Sequence, residues 1–344
     1  MWNPNGNGSI TEGFFAPDKQ HPCACMVKLK LYNTEKETHM NEQKSAFIAI
    51  VGRANVGKSS LLNAMMGQKV AIVSPKPQTT RTRILGIHTA EETQLIFVDT
   101  PGLHLPRNRL GESMVRAVQE GLSDVEACVM VIDSADVRKN GDTIVIHKAE
   151  QALIDQLAKR KIPAVLAVNK VDLVPNKTDL LAIIDTYMRA YAFDEVFPLS
   201  ARSGKGVPAL LTRMMDYAVE APHYFDDDAL TDQTERVMAA ETIREKLLFV
   251  LDREVPHGVA VSVDAYHSRG KVLDIEATIF CERDSHKGMI IGKSGEQLKV
   301  VGTRAREDIE QRAGQKVNLQ LWVKVKPNWR NKESAIRSFG LEQK

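Results

Sequence analysis

The sequence lacks any uninterrupted apolar run approaching the roughly 20 residues that span a bilayer, so no segment reads as a membrane helix. Cysteine is scarce, with four in 344 residues. Cys23 and Cys25 form an isolated C-x-C, Cys128 lies in an apolar run, and Cys281 closes an alternating stretch. No pair has the spacing of a zinc site, which speaks against a metal-stapled fold and for a reducing, cytosolic compartment. Cys128 reads as a buried, inert thiol. The polar, Gly/Asn-rich stretch 1–44 has no apolar core of a signal peptide and no helical or strand periodicity, so it is expected to be a disordered extension. Met40, just before the first strong strand, is a second candidate start of translation.

Charge is nearly balanced overall, at +2, but unevenly placed. Residues 285–344 carry 8 Lys and 5 Arg against 6 acids, or +7, while Glu220, Asp226, Asp227, Asp228 and Asp232 precede them with no Lys or Arg between. A basic end behind an acidic hinge suits a polyanionic partner, and equally a solvated basic face.

From Ala46 onward, short runs apolar on both faces alternate with helical stretches. The strands are expected at Phe47–Val51, Leu95–Val98, Cys128–Ile132, Ala164–Val168 and Val196–Leu199. The helices are expected at Ser59–Met66, Ser113–Leu122, Lys148–Lys159, Leu180–Ala190 and Pro208–Val219. That order predicts a three-layer α/β fold with a mostly parallel sheet, whose ligands sit at the carboxyl ends of the strands. Pro222–Asp232 reads as a linker. Beyond it come a helix (Glu235–Leu251), two alternating strands (Val259–Tyr266, Val272–Phe280) joined by a turn at His267–Gly270, a helix-turn-helix (Lys287–Arg312) and a last strand (Val317–Val325). This predicts a smaller α+β domain. The segments are 1–44, 45–221, 222–234 and 235–344.

Phe47–Val51 leads into Gly52, Arg53, Ala54, Asn55, Val56, Gly57, Lys58 and Ser59, followed by Ser60 and a helical run. This strand–loop–helix spells G-x-x-x-x-G-K-S, a P-loop. Backbone amides at the helix start would cradle phosphates, Lys58 would reach the β- and γ-phosphates, and Ser59 would hold Mg²⁺. Asp99, Thr100, Pro101 and Gly102 close the next strand, which sets Asp99 behind the Mg²⁺ and the Gly102 amide toward the γ-phosphate. Asn169, Lys170 and Asp172 spell N-K-x-D. Asp172 can accept two hydrogen bonds from guanine that adenine does not offer, which selects GTP or GDP. Ser200 and Ala201 fit a loop whose amide meets the guanine carbonyl. In Gln78–Arg83, Thr80, rather than Thr79, is the candidate switch residue on Mg²⁺. Lys58, Thr80 and Gly102 are the candidate catalytic groups.

In order, these elements resemble a translation-factor-class GTPase, and the spellings Gly52–Ser59, Gln78-Thr-Thr-Arg81 and Asp99-Thr-Pro-Gly-Leu103 resemble its Era-like branch. Leu103 stands where Ras-like proteins carry a water-orienting glutamine, so that role moves elsewhere. The resemblance implies K⁺ at Asn55 as a source of positive charge. Relatives usually have Pro at the position of Ala54, a departure that removes no ligand.

Met289–Leu298 contains Gly292-Lys293-Ser294-Gly295, a G-x-x-G loop between two helices. Taken alone, capping glycines explain it as well as nucleic acid does. The surrounding α-β-β-α-α-β order matches a type II KH domain, in which such a loop lets single-stranded RNA backbone approach. Lys287, Ile291, Gly292, Lys293, Ser294, Gly295, Lys299 and Arg304 are the candidate RNA contacts. G domain and KH domain together make 46–339 similar to the Era family of ribosome-assembly GTPases. The resemblance implies binding near the 3′ end of small-subunit ribosomal RNA, a role in 30S subunit maturation, a cytoplasmic monomer and peripheral contact with the membrane. The alternatives are a signalling GTPase whose C-terminal domain binds protein and, less well supported, a metabolic phosphotransferase.

Overall fold

The computed structural model describes residues 43–102, 108–140, 143–252 and 254–341. The leader with Cys23, Cys25 and Met40, together with Leu103, lies outside them. In chain order the first part contains β1 (Lys44–Val51), α1 (Lys58–Met66), β2 (Ile84–Ala90), β3 (Thr93–Asp99), α2 (Arg109–Gly121), β4 (Ala127–Asp133), β5 (Arg138–Asn140) and β6 (Thr143–Val145). It continues with α3 (Lys148–Arg160), β7 (Ala164–Asn169), α4 (Lys177–Ala190), β8 (Glu195–Pro198), α5 (Val207–Met215) and β9 (Val219–Glu220).

The main sheet runs β2-β3-β1-β4-β7-β8, with β9 paired to the start of β1, and is parallel except for β2 and β9. Both faces are covered, which is why its strands read as continuous apolar runs. Leu61, Leu62 and Met65 of α1 and Leu210 and Met214 of α5 pack on one face. Val118 of α2, Leu153 and Leu157 of α3, and Ile183 and Tyr187 of α4 pack on the other. Cys128 is buried in that second layer, and burial pushes its thiol pKa up.

Three local expectations change. β2 was not evident because Gly86 and His88 interrupt its apolar run. Helix α5 stops at Met215, and Val219–Glu220 leaves to pair antiparallel with Ser45 and Lys44. Pro222–Asp232 forms no regular element yet is fastened to the sheet. The Gln94 side chain accepts from the Tyr224 and Phe225 amides at 2.8 and 3.0 Å, and the Tyr224 ring meets Phe47 edge-on at 5.0 Å.

The second part comprises α6 (Glu235–Val250), β10 (Ala260–Arg269), β11 (Val272–Cys281), α7 (Asp284–Ile291), α8 (Glu296–Ala313), β12 (Lys316–Val325) and α9 (Glu333–Ser338). Thr234 caps α6, its hydroxyl accepting from the Val237 amide. Strand β10 runs through Arg269, so the turn narrows to Gly270-Lys271. β10 pairs antiparallel with β11, and β11 parallel with β12. Their core is built from Ala239, Ile243 and Leu247 of α6, Ile275, Ala277 and Ile279 of β11, and Val301, Ala305 and Ile309 of α8. The helical residues recur at i, i+4 and i+8, the stripe that one buried face requires. After β12, Trp329 is fully buried, its indole donating to the Gly258 carbonyl at 2.9 Å. Ala335 and Ile336 of α9 close over Leu110 and Met114 of α2, so the C-terminal segment packs on both parts of the chain.

Candidate functional site: a nucleotide cavity and a G-x-x-G loop

Strands β1, β3 and β7 each end in one of the motif segments, and Ser200 follows β8 by two residues, so the parallel topology gathers all four at one end of the sheet. There a cavity of about 460 Å³ opens, lined among others by Ala54, Asn55, Gly57, Lys58, Ser59, Ser60, Thr80, Gly102 and Lys170. Gly57 starts α1 in a left-handed conformation with φ 100°, and its carbonyl accepts from the Leu61 amide. Helix α1 therefore begins at the cavity with its first amides free for an anion. Gly102 lies so close to the loop that a Cβ would sit 2.5 Å from Ala54 Cα, so only glycine brings this amide beside the P-loop.

Lys58 is buried, and its ammonium donates to the Gly52 and Arg53 carbonyls at 3.2 and 3.0 Å. Desolvation lowers its pKa to about 8, against the opposing pull of Asp99. Burial pushes Asp99 up to about 6, opposed by Lys58 and the Ser59 hydrogen bond. Ser59 Oγ lies 2.6 Å from Asp99 Oδ2 and 2.8 Å from Thr80 Oγ1. Asp99 Oδ1 is buried with no hydrogen-bond partner. Two hydroxyls and a carboxylate with an unused oxygen form a donor set suited to a hard cation.

The candidate base-reading residues follow β7 and β8. Asn169 ties two loops together, its amide donating to the Val56 carbonyl at 2.8 Å and its carbonyl oxygen accepting from the Ala201 amide at 2.9 Å. Lys170 Nζ bridges the Asn55 carbonyl at 2.9 Å and Asp133 Oδ2 at 2.5 Å. Asp172 is exposed, in the short turn Val171–Leu173 after β7. Ser200 is buried and pairs in a bridge with Lys205. Thr100 is also buried, its hydroxyl on the Ile50 carbonyl at 2.9 Å, and Pro101 follows it. The Arg53 side chain turns away from the cavity to Glu150 of α3 at 2.8 Å. Glu150 is buried and accepts from Tyr187 Oη at 2.5 Å, so Arg53 braces the loop from behind. Asn55, at φ 66°, spans to the segment between α1 and β2 through Nδ2 and the Pro75 carbonyl at 3.0 Å.

Two participants escaped the sequence reading. Phe249 of α6, 53 % exposed, lines the same cavity. Its signal was phase: it lies two residues past Leu247, on the face of α6 opposite the core. Arg81, by contrast, gave none. It sits in a polar loop yet is buried against the second part of the chain.

The second site is the junction of α7 and α8. Gly292 (φ 74°) and Gly295 (φ 81°) bracket Lys293 and Ser294, both exposed. A Cβ on Gly292 would lie 2.7 Å from Gln297 Cβ, so the turn closes only with glycine. Lys299 and Arg304 are exposed along α8, whereas Lys287 and Ile291 are partly covered on α7. Helix α8 starts at Gly295 with its amide end toward the loop.

A family model described as a 50S ribosome-binding GTPase matches residues 47–170, and a KH domain model matches 254–330. The chain is 47 % identical over 303 residues to GTPase Era of Clostridioides difficile, covering 88 % of this chain and 99 % of that protein. The chain belongs to the Era family of GTPases. GTPase Era of Ruminiclostridium cellulolyticum is 46 % identical over 300 residues, 87 % of this chain and 98 % of its own. Among solved structures, Era in complex with MgGDPNP and nucleotides 1506–1542 of 16S ribosomal RNA has TM-score 0.82 at 34 % identity, covering 88 % of this chain and 100 % of that one. A variant of Aquifex aeolicus Era bound to GDP.AlF4⁻ matches with the same score, identity and coverage. As an Era GTPase, the chain joins a G domain with a mostly parallel sheet to a C-terminal KH domain.

Proposed function

We propose that this protein is a GTP-driven switch that clamps single-stranded RNA at the 3′ end of small-subunit ribosomal RNA, in the cytoplasm, and acts in maturation of the 30S subunit. The observation that carries the nucleotide half is the convergence of Ser59, Thr80 and Asp99 at the head of α1, with Asp99 Oδ1 unpartnered. Amides of Gly52–Ser60 hold the phosphates, and Lys58 exchanges its two carbonyl acceptors for phosphate oxygens. Ser59 and Thr80 hold Mg²⁺ with Asp99 behind them; when bound, the ion neutralises charge on the β- and γ-phosphates. Gly102 gives its amide to the γ-phosphate. Asp172 reads guanine while Asn169, Lys170, Ser200 and Ala201 frame it. Water attacks the γ-phosphorus, the bond to the β-phosphate oxygen breaks, and GDP and phosphate result. With the γ-phosphate gone, Thr80 would no longer be held at the site and the segment around it would be released.

Asn55 lines the cavity, and K⁺ held there would supply positive charge in the place of an arginine finger. Hydrolysis is then faster in KCl than in NaCl, and equal rates at fixed ionic strength remove the ion from the account.

The RNA half rests on the loop Gly292–Gly295 and the exposed Lys293, Lys299 and Arg304, with Lys287 and Ile291 completing a groove for about four nucleotides. It also rests on the 16S ribosomal RNA in the similar Era complex. Crosslinking with sequencing of bound RNA in the GTP and GDP states tests this. Reads concentrated at the 3′ end of 16S rRNA support it. Recovery of protein without RNA transfers the domain to a protein partner.

A further inference from the structure

The segment between α1 and β2 is fastened along its length to the RNA-binding domain. Lys69 Nζ lies 2.5 Å from Glu245 Oε2 and 3.2 Å from Asp308 Oδ2. The Val73 amide donates to Glu245 Oε1 at 3.0 Å, and Lys76 pairs with Asp252 at 2.7 Å. The contacts tighten around Thr80. On one side, the Thr79 carbonyl accepts from Arg244 Nη2 at 2.5 Å. On the other, the Arg81 guanidinium donates to the carbonyls of Val259 at 2.6 Å and His257 at 3.1 Å, and lies 5.8 Å over the Trp329 ring.

Among the described residues, the hydrogen-bond acceptors of Arg81 all belong to residues 256–259. A buried guanidinium needs its donors paired, and undocking the second domain would exchange these carbonyls for water and release the segment they hold. Arg244 is equally constrained: it is 2 % exposed and held by Glu241 through Nε at 2.8 Å. Thr80 stands between these two anchors with its hydroxyl 2.8 Å from Ser59. A loop threonine is held in one position here by groups from a different domain.

We infer that the RNA-binding domain seats the magnesium threonine: Arg244, and the 257–259 carbonyls around Arg81, are positioning groups for GTP hydrolysis. This rests on the reading of Thr80 as a Mg²⁺ ligand. Docking of the domain and closure of Thr80 are then one equilibrium, and linkage makes the effect reciprocal. A second contact brings the RNA loop into it. Gln297, packed on Gly292, donates to the Val250 carbonyl at 2.9 Å, one residue beyond the cavity-lining Phe249. The end of α6 therefore touches the G-x-x-G turn and the nucleotide cavity at once.

The test uses the full chain, with wild type, Arg244→Ala and Arg244→Lys measured for GDP affinity, Mg²⁺-dependent affinity for a non-hydrolysable GTP analogue, kcat and KM. GDP does not need Thr80, so its affinity should stay within about twofold, whereas analogue affinity and kcat fall about tenfold in Arg244→Ala. Arg244→Lys keeps one donor and should recover part of the loss. A folded Arg244→Ala variant with unchanged analogue affinity and kcat overturns the inference. If that variant does not fold, amide hydrogen exchange on wild type decides. The analogue should protect 73–81 and 244–259 together relative to GDP, and protection confined to 73–81 overturns the inference. A wild type that neither hydrolyses GTP nor distinguishes analogue from GDP by Mg²⁺ brings down the switch reading itself.

Discussion

Lys58 and Asp99 share one buried space, and each is held away from its ordinary pKa by burial. Phosphate restores the Lys58 charge, so above about pH 8 nucleotide binding must take up a proton and affinity falls with rising pH. Asp99 acts at the other end: below about pH 6 its carboxyl is protonated, and Mg²⁺-dependent affinity falls as pH drops. For the unliganded fold the sign reverses. The native Asp99 binds more protons than the unfolded chain between pH 3.8 and about 6, so its contribution to stability is lost as pH rises through that window. Titration calorimetry in buffers of different ionisation enthalpy reads the proton uptake directly. Asp172→Asn replaces an acceptor of two guanine N–H groups with a donor. GTP affinity should fall by about a hundredfold or more, with xanthosine triphosphate now preferred, as competition binding would show.

Helix α6 joins the core of one domain to the segment between α1 and β2 of the other. Leu247 is fully buried beneath it, so Leu247→Ala should cost about 2–5 kcal/mol in chemical denaturation. At the G-x-x-G turn, Gly292→Asp with Gly295→Asp should abolish RNA binding in a filter assay while GTP affinity is retained. The two kinds of element differ in how far the chain announces them. That the P-loop, Asp99 and Asn169–Asp172 gather at one end of the sheet was legible because each motif directly follows a parallel strand. The αββααβ order was legible from periodicity. The antiparallel β2 was not, since Gly86 blurs its pattern and its place depends on pairing with β3. Nor was the role of Arg81 or Arg244, because both serve contacts with residues more than 160 positions away. Local sequence carries no mark of such partners.

For the molecule as a whole, the acidic stretch 220–232 read as a hinge, yet Gln94 and Phe47 fasten it to the sheet, and the Ile87 amide donates to the Leu230 carbonyl at 2.9 Å. The path between the domains is therefore a packed strap. At the far end Trp329, α9 and α2 form a second junction. The segment 69–81 also bonds to residues 244–259, and under the proposed switch these contacts link nucleotide state to the G-x-x-G loop. In the proposed switch, GTP sets RNA affinity. The most direct measurement is fluorescence anisotropy of a labelled oligonucleotide carrying the 3′ end of 16S rRNA, titrated with full-length protein in Mg²⁺ and either GDP or a non-hydrolysable GTP analogue. The account predicts affinity about five- to a hundredfold tighter with the analogue. Equal affinity in the two states would contradict it.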